Sequence, residues 1–270
     1  MQALLVPRWP APANVRAVFT TRDGGVSAAP FESLNLGDHV GDDPLAVARN
    51  RALLAQAMGV RPVYLQQVHG VQCVQVDAQT SDGTQADSCV SGSRGVACTI
   101  MVADCLPVLL TNLAGTRVAA AHAGWRGLVN GVLAQNFKHF MALEPMNNAP
   151  AAIKNIADLA PGEASGVLAW LGPCIGPACF EVGSEVREAF VRSRPQDDPY
   201  FVSRGAGKYL ADLAALARGR LRDLGVTQMY GNDSTPPWCT VANASSFFSH
   251  RRDAVRIGGS GRMAACIWLE

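Results

Sequence analysis

Two histidines and one cysteine in this chain have the types and neighbours of a metal-binding set. His69 lies in QVHG, Cys105 follows Asp104 in ADCLPVLL, and His122 heads HAGWRG, seventeen residues after the cysteine. Imidazole nitrogen and thiolate sulfur both suit zinc, and a three-ligand site leaves the fourth position open to water or substrate. A zinc held this way keeps positive charge, lowers the pKa of a bound water and polarises an oxygen near neutral pH. The chemistry so implied is hydrolysis or group transfer.

The neighbours decide how far each residue departs from an ordinary core role. Free cysteine is among the most buried residue types, so Cys105 alone reads as a small core residue. Asp104 beside it changes that, because a carboxylate set among apolar residues needs a partner or a purpose. Asp104 and Asp87, the latter in QADSCVSG, are the candidate proton carriers, although strand alternation turns Asp104 away from the face of Cys105. His122 has VAAA before it and Ala-Gly after it, which leaves room for something to approach. The remaining histidines are weaker candidates: His39, read as a structural residue of the loop LGDHVGD, His139 on a wet helix face, and His250 beside Arg251 and Arg252.

These residues must be positioned by strands and helices in alternation. Val15 to Thr21, Val63 to Val68, Val71 to Val76, Val96 to Val102, Pro107 to Thr111 and Arg117 to Ala121 read as strands, rich in β-branched residues. His69-Gly70 then falls at a bend, and Cys105 and His122 at strand ends. Asp43 and Pro44 open a helix that Gly59 closes. Further helices are expected at about Gly127 to Leu143, Ser184 to Arg194 and Lys208 to Leu224, with closing strands at Ser246 to His250 and Met263 to Leu269. The stretch 145–166, rich in Pro, Ala, Asn and Gly, reads as a surface insertion.

Composition narrows the partners. The chain has 270 residues, 49% hydrophobic and 17% charged, with a net charge of +1, which fits one large globular domain over 1–270. No basic run offers a footprint for nucleic acid or an anionic membrane. The apolar stretches are too short or too interrupted for a membrane span or a signal peptide, so a cytoplasmic location is expected. Eight cysteines without a regular spacing read as reduced thiols.

Taken together, QVHG, ADCLPVLL, AAHAGWRG, LGPCIGPACFEVG and FFSHRRD followed by GSGR resemble the YfiH family, also called the laccase-domain or multicopper polyphenol oxidoreductase family. The resemblance starts at TTRDGGVS and SLNLGDHVGD and covers nearly the whole chain. It implies an α+β fold, a four-layer α/β/β/α sandwich with mixed sheets shared with toxin deamidases that use a Cys-His pair. It implies zinc, with copper as the other candidate, on His69, Cys105 and His122. The activity implied is purine nucleoside phosphorolysis of adenosine, inosine, guanosine or methylthioadenosine, with adenosine deamination beside it. A role in peptidoglycan editing is attached to bacterial members. The family often has Tyr where this chain has His250.

Phosphorolysis needs phosphate gripped as it attacks, a task for guanidinium forks. Arg22, Arg126 and Arg251 or Arg252 are the candidates, with Asn35 for a ribose hydroxyl or base edge; nucleoside and phosphate are then the partners of a monomer or weak oligomer. Three rivals stand beside this reading. Copper redox chemistry uses His and Cys ligands, but a multicopper oxidase needs far more than five histidines. A metal-free Cys105-His122 pair would make an amide hydrolase. A structural zinc would need a fourth ligand from Cys89, Cys98 or Cys174.

Overall fold

The computed structural model describes residues 4–143 and 163–270. In chain order the elements are β1 (Leu4–Leu5), β2 (Val15–Thr20), α1 (Pro44–Met58), β3 (Arg61–Tyr64), β4 (Cys73–Gln75), β5 (Ser88–Ser91), β6 (Val96–Val102), β7 (Leu106–Asn112) and β8 (Val118–Ala123). Then come α2 (Trp125–Asn130), α3 (Val132–Ala142), β9 (Val167–Leu171), β10 (Glu181–Gly183), α4 (Ser184–Ser193), β11 (Phe201–Gly205), β12 (Lys208–Ala211), α5 (Leu213–Asp223), β13 (Gln228–Gly231), α6 (His250–Ile257) and β14 (Met263–Leu269).

Two mixed sheets dominate. One has the order β1-β2-β14-β6-β3 and the other β13-β9-β7-β8-β5-β4, with a small antiparallel sheet β10-β12-β11 beside them. Strand alternation distributes the apolar side chains among three cores. Phe19, Ile100 and Ile267 of the first sheet meet Leu109, Ala120 and Trp170 of the second in a core between the sheets. The opposite face of the second sheet, with Val108, Leu110 and Ala121, packs on Phe137 of α3 and Leu216 of α5. The outer face of the first, with Val18, Met101 and Cys266, packs on Leu54 and Met58 of α1. Helix, sheet, sheet and helices thus form the four layers expected.

The helix boundaries follow their caps. Asp43 accepts from the Leu45 amide and Gly59 closes α1 at φ 71°, as expected. The helix expected from about Gly127 is instead two, because Gly131 adopts φ 97° between α2 and α3. The helix expected from Lys208 starts at Leu213, where Asp212 accepts from the Ala215 amide, and Lys208–Ala211 is a strand paired with β10 and β11. The expected strand at Ser246 to His250 is corrected as well: the Ser249 side chain accepts from the Arg252 amide and opens α6. Most of the expected insertion 145–166 lies outside the described residues; Glu163–Gly166 forms a 3-10 turn leading into β9.

Candidate metal centre

Two neighbouring strands and one loop bring the three candidate ligands together. Cys105 immediately precedes β7, and His122 on β8 pairs across the ladder with Pro107. His69 stands in the loop between β3 and β4, with its backbone at φ 60°. The Cys105 Sγ lies 3.8 Å from His69 Nε2. All three donor atoms fall within 4.8 Å of one another, and this is the one such cluster among the described residues. Cys89 and Cys98 sit in the core between the sheets and Cys174 in the helix-side core, so none of the thiols considered for a fourth ligand joins the group.

A single carboxylate organises two of the ligands. The β5–β8 ladder pairs Ser88 with Ala121, so the next position sets Asp87 opposite His122. The His122 amide donates to the Asp87 carbonyl at 2.8 Å. Asp87 Oδ1 meets His122 Nδ1 at 2.8 Å and also accepts from the His69 amide at 2.9 Å. Its Oδ2 accepts from the amides of Val68 and Gly70 at 3.1 and 2.7 Å. A left-handed backbone is unfavourable for a histidine, and three amide bonds to one buried carboxylate hold it there. Asp87 therefore acts as an anchor, not as the free proton carrier considered from the sequence.

The electrostatics suit a cation. Burial pushes the Cys105 thiol up, but the His122 and His69 rings outweigh it and bring it down to about 6. Burial likewise pushes His122 down, while the charges of Cys105 and Asp87 raise it to about 9. Burial opposes the charge of Asp87, yet the bonds from His122 and the Gly70 and Val68 amides keep it below the usual carboxylate range. A thiolate, an imidazole fixed through Nδ1 with Nε2 left over, and a second Nε2 form a donor set that fits zinc. Tetrahedral zinc asks for sulfur to nitrogen separations of about 3.6 Å, close to the 3.8 Å between Cys105 Sγ and His69 Nε2. Gly124 completes the cradle: a Cβ there would meet Cys105 Sγ and His69 Cδ2, each at 3.0 Å. The room that small residues leave beside His122 is filled by the other two ligands.

The centre opens on a cleft with two lobes. One, of about 390 Å³, is lined by His39, Gln67, Arg126 and Arg262 together with the three ligands. The other, of about 190 Å³, is lined by Trp125, Ile175, Phe180, Leu213 and Arg251. Ala103, Cys105 and His250 belong to both.

The substrate residues expected from the sequence divide. Arg126 faces the first lobe, stacked 4.3 Å from the Trp125 ring, and Arg251 lines the second while donating to the Glu181 carbonyl. Arg22 is instead spent on the fold: its guanidinium donates to the carbonyls of Glu32 and Ala244 and lies over Phe248. Arg252 similarly donates to the carbonyls of Thr240, Val241 and Phe247. Asn35 is fully buried, donating to Gly37 and Asp42 and accepting from the amides of Gly37 and Arg262, so its amide has nothing left for substrate. Asp104, at φ 88°, turns its carboxylate to Thr240 Oγ1 and to the Arg251 amide at 2.6 Å, tying the strand of Cys105 to α6. Arg262, His39 and His250 also stand on the cleft walls; the sequence sets the two histidines aside and does not single out Arg262, because no local pattern says that GSGR and SHRRD converge.

The description "Multi-copper polyphenol oxidoreductase laccase" matches residues 16–270. A Pseudomonas aeruginosa protein named purine nucleoside phosphorylase is 47% identical over the full length of both chains. The Escherichia coli purine nucleoside phosphorylase YfiH is 45% identical, again with full coverage of both. The chain belongs to the YfiH family. Among solved structures, Neisseria meningitidis NMB0706 superposes with a TM-score of 0.86 at 44% identity, covering 99% of each chain. Bacillus licheniformis YfiH does so with a TM-score of 0.81 at 29% identity, covering 95% of this chain and 93% of that one. The four-layer arrangement is thus that of the YfiH fold, and no described helix of this YfiH-family chain is long and apolar enough to cross a membrane.

Proposed function

We propose that this chain is a zinc-dependent purine nucleoside phosphorylase acting on adenosine, inosine, guanosine or methylthioadenosine. The observation that carries the reading is the meeting of a basic and an apolar lobe at Cys105 and its two histidines. Relatives bearing the name purine nucleoside phosphorylase, at 40% identity and above, point the same way. The purine lies between Trp125, Ile175, Phe180 and Leu213, where an aromatic base buries its faces. Phosphate enters the other lobe, where the planar forks of Arg126 and Arg262 suit its oxygens. His69, Cys105 and His122 hold the zinc, which supplies Lewis acidity when bound. The assembly in this reading is a monomer or weak oligomer, and reduced thiols with nucleoside and phosphate at hand fit the cytoplasm.

Adenosine deamination is the lesser activity in this reading. Zinc deaminases move protons on a carboxylate, and both carboxylates beside the centre are committed, Asp87 to His122 and three amides, Asp104 to Thr240 and α6. Copper polyphenol oxidation has less support still, since the chain has five histidines and two reach the centre. The low thiol pKa of Cys105 favours one alternative, a Cys-His amide hydrolase acting on peptidoglycan precursors.

The test is product chromatography after incubating zinc-loaded protein with adenosine, with and without phosphate, beside Cys105→Ala. Adenine and ribose 1-phosphate formed only with phosphate, and lost in the variant, are expected. Untouched nucleoside in every sample from folded, zinc-loaded protein refutes the reading; a covalent adduct at Cys105 with acyl electrophiles in stripped protein would move it to amide hydrolysis.

A further inference from the structure

Phosphorolysis asks for something the metal ligands do not provide. When the bond between C1′ and the purine N9 breaks, the base leaves with the electron pair and departs most easily if a proton reaches N7. The walls of both lobes hold one carboxylate, Asp104, and its two oxygens are engaged by Thr240 and the Arg251 amide. Arg126, Arg251 and Arg262 do not give up protons near neutral pH. Apart from the ligands, two imidazoles remain, His39 and His250. His39 lies 3.5 Å from Asp38 and lines only the basic lobe, away from Phe180 and Ile175.

His250 is placed otherwise. It lines both lobes together with Cys105, where a nucleoside spanning them would carry its glycosidic bond. It is the first residue of α6, and its neighbour Arg251 is pinned through its amide to Asp104, the residue before Cys105. The imidazole is thereby carried on an element fixed to the ligand strand. Its side chain is exposed, and its ring is not engaged by a hydrogen bond to another described residue.

We propose that His250 is a catalytic residue that delivers the proton to the departing purine, an inference that rests on the phosphorolysis reading. The N9–C1′ bond breaks with its electrons going to the base, a phosphate oxygen forms the new bond to C1′, and the His250 proton moves to purine N7. The imidazole recovers a proton from the hydrogen phosphate as that becomes the sugar ester, so charge and atoms balance.

The experiment compares guanosine with 7-methylguanosine, whose base already carries the positive charge that protonation supplies. Zinc-loaded wild type, His250→Phe and His250→Gln are assayed for phosphate-dependent base release, with zinc content and circular dichroism measured on each. For both variants the expected result is a loss of about 10²-fold or more in kcat/KM on guanosine, against a change within about threefold on 7-methylguanosine. Equal losses on the two nucleosides, or no loss on either, overturn the role of His250 while leaving phosphorolysis intact. A wild type inactive on both nucleosides overturns phosphorolysis itself and the inference with it.

Discussion

Asp87 Oδ1 lies 2.8 Å from His122 Nδ1, across the pairing of β5 with β8, and the same carboxylate takes the three consecutive amides from Val68 to Gly70. One side chain therefore sets the ring of one ligand and the backbone of another. Asp87→Asn keeps the size but loses the charge and offers a donor where only acceptors fit. Zinc affinity should fall by about 10- to 100-fold, measured by competition with a chromophoric chelator. Wild-type affinity in that variant would falsify the anchoring role.

The thiol of Cys105 is held at about 6, against an ordinary value near 8.5. A depressed pKa means that the thiolate prevails above about pH 6 and is lost as the pH drops through that value. In zinc-free protein, alkylation of Cys105 by iodoacetamide, followed by peptide mass mapping, should therefore show a midpoint near 6. Added zinc should protect the residue. A midpoint above 8 would show that His122 and His69 do not stabilise the anion.

Arg22 and Arg126 should separate stability from binding. Arg22 fixes the carbonyls of Glu32 and Ala244, so Arg22→Ala should destabilise by about 1–3 kcal/mol in denaturant titration and leave the phosphate KM unchanged. Arg126 is exposed on the basic lobe, and Arg126→Ala should raise that KM about tenfold with little change in stability. The opposite pattern would reverse their assignments.

Asp104 joins the Cys105 strand to α6 through Thr240 and the Arg251 amide. In Asp104→Asn, hydrogen exchange should quicken at the first amides of α6, and stability should fall by about 1–3 kcal/mol. Zinc stoichiometry should stay at the wild-type level. Unchanged exchange in α6 would mean that the link contributes nothing to its order.

The clustering of His69, Cys105 and His122 has a trace in the sequence, because unusual residues stand among small ones: His122 between VAAA and Ala-Gly, Cys105 after a lone carboxylate. Strands such as β6, expected at Val96 to Val102 and found there, announced themselves through continuous β-branched and apolar runs, since both faces are buried. Other features depend on residues far apart in the chain. Asn35 and Arg22 carry side chains that could bind substrate, and only the tertiary structure shows that backbone groups around Gly37, Glu32 and Ala244 consume them. Arg262 and His250 reach the cleft for a complementary reason, being brought there by β14 and α6, elements that follow the last ligand by more than a hundred residues. His250 is masked by a local apolar pattern that reads as strand, whereas the Ser249 cap makes it the first residue of α6.

With zinc bound as proposed, the opposition of Asp87 and His122 would also make the metal a witness to correct folding. A slip of one residue between β5 and β8 would turn Asp87 toward the other face of the sheet and release the His69 loop. A mispaired chain could stay compact, because the strands would still be apolar, but it would hold zinc poorly. Metal content then sorts properly assembled molecules from misassembled ones, and zinc supplied during refolding should enrich the former by mass action.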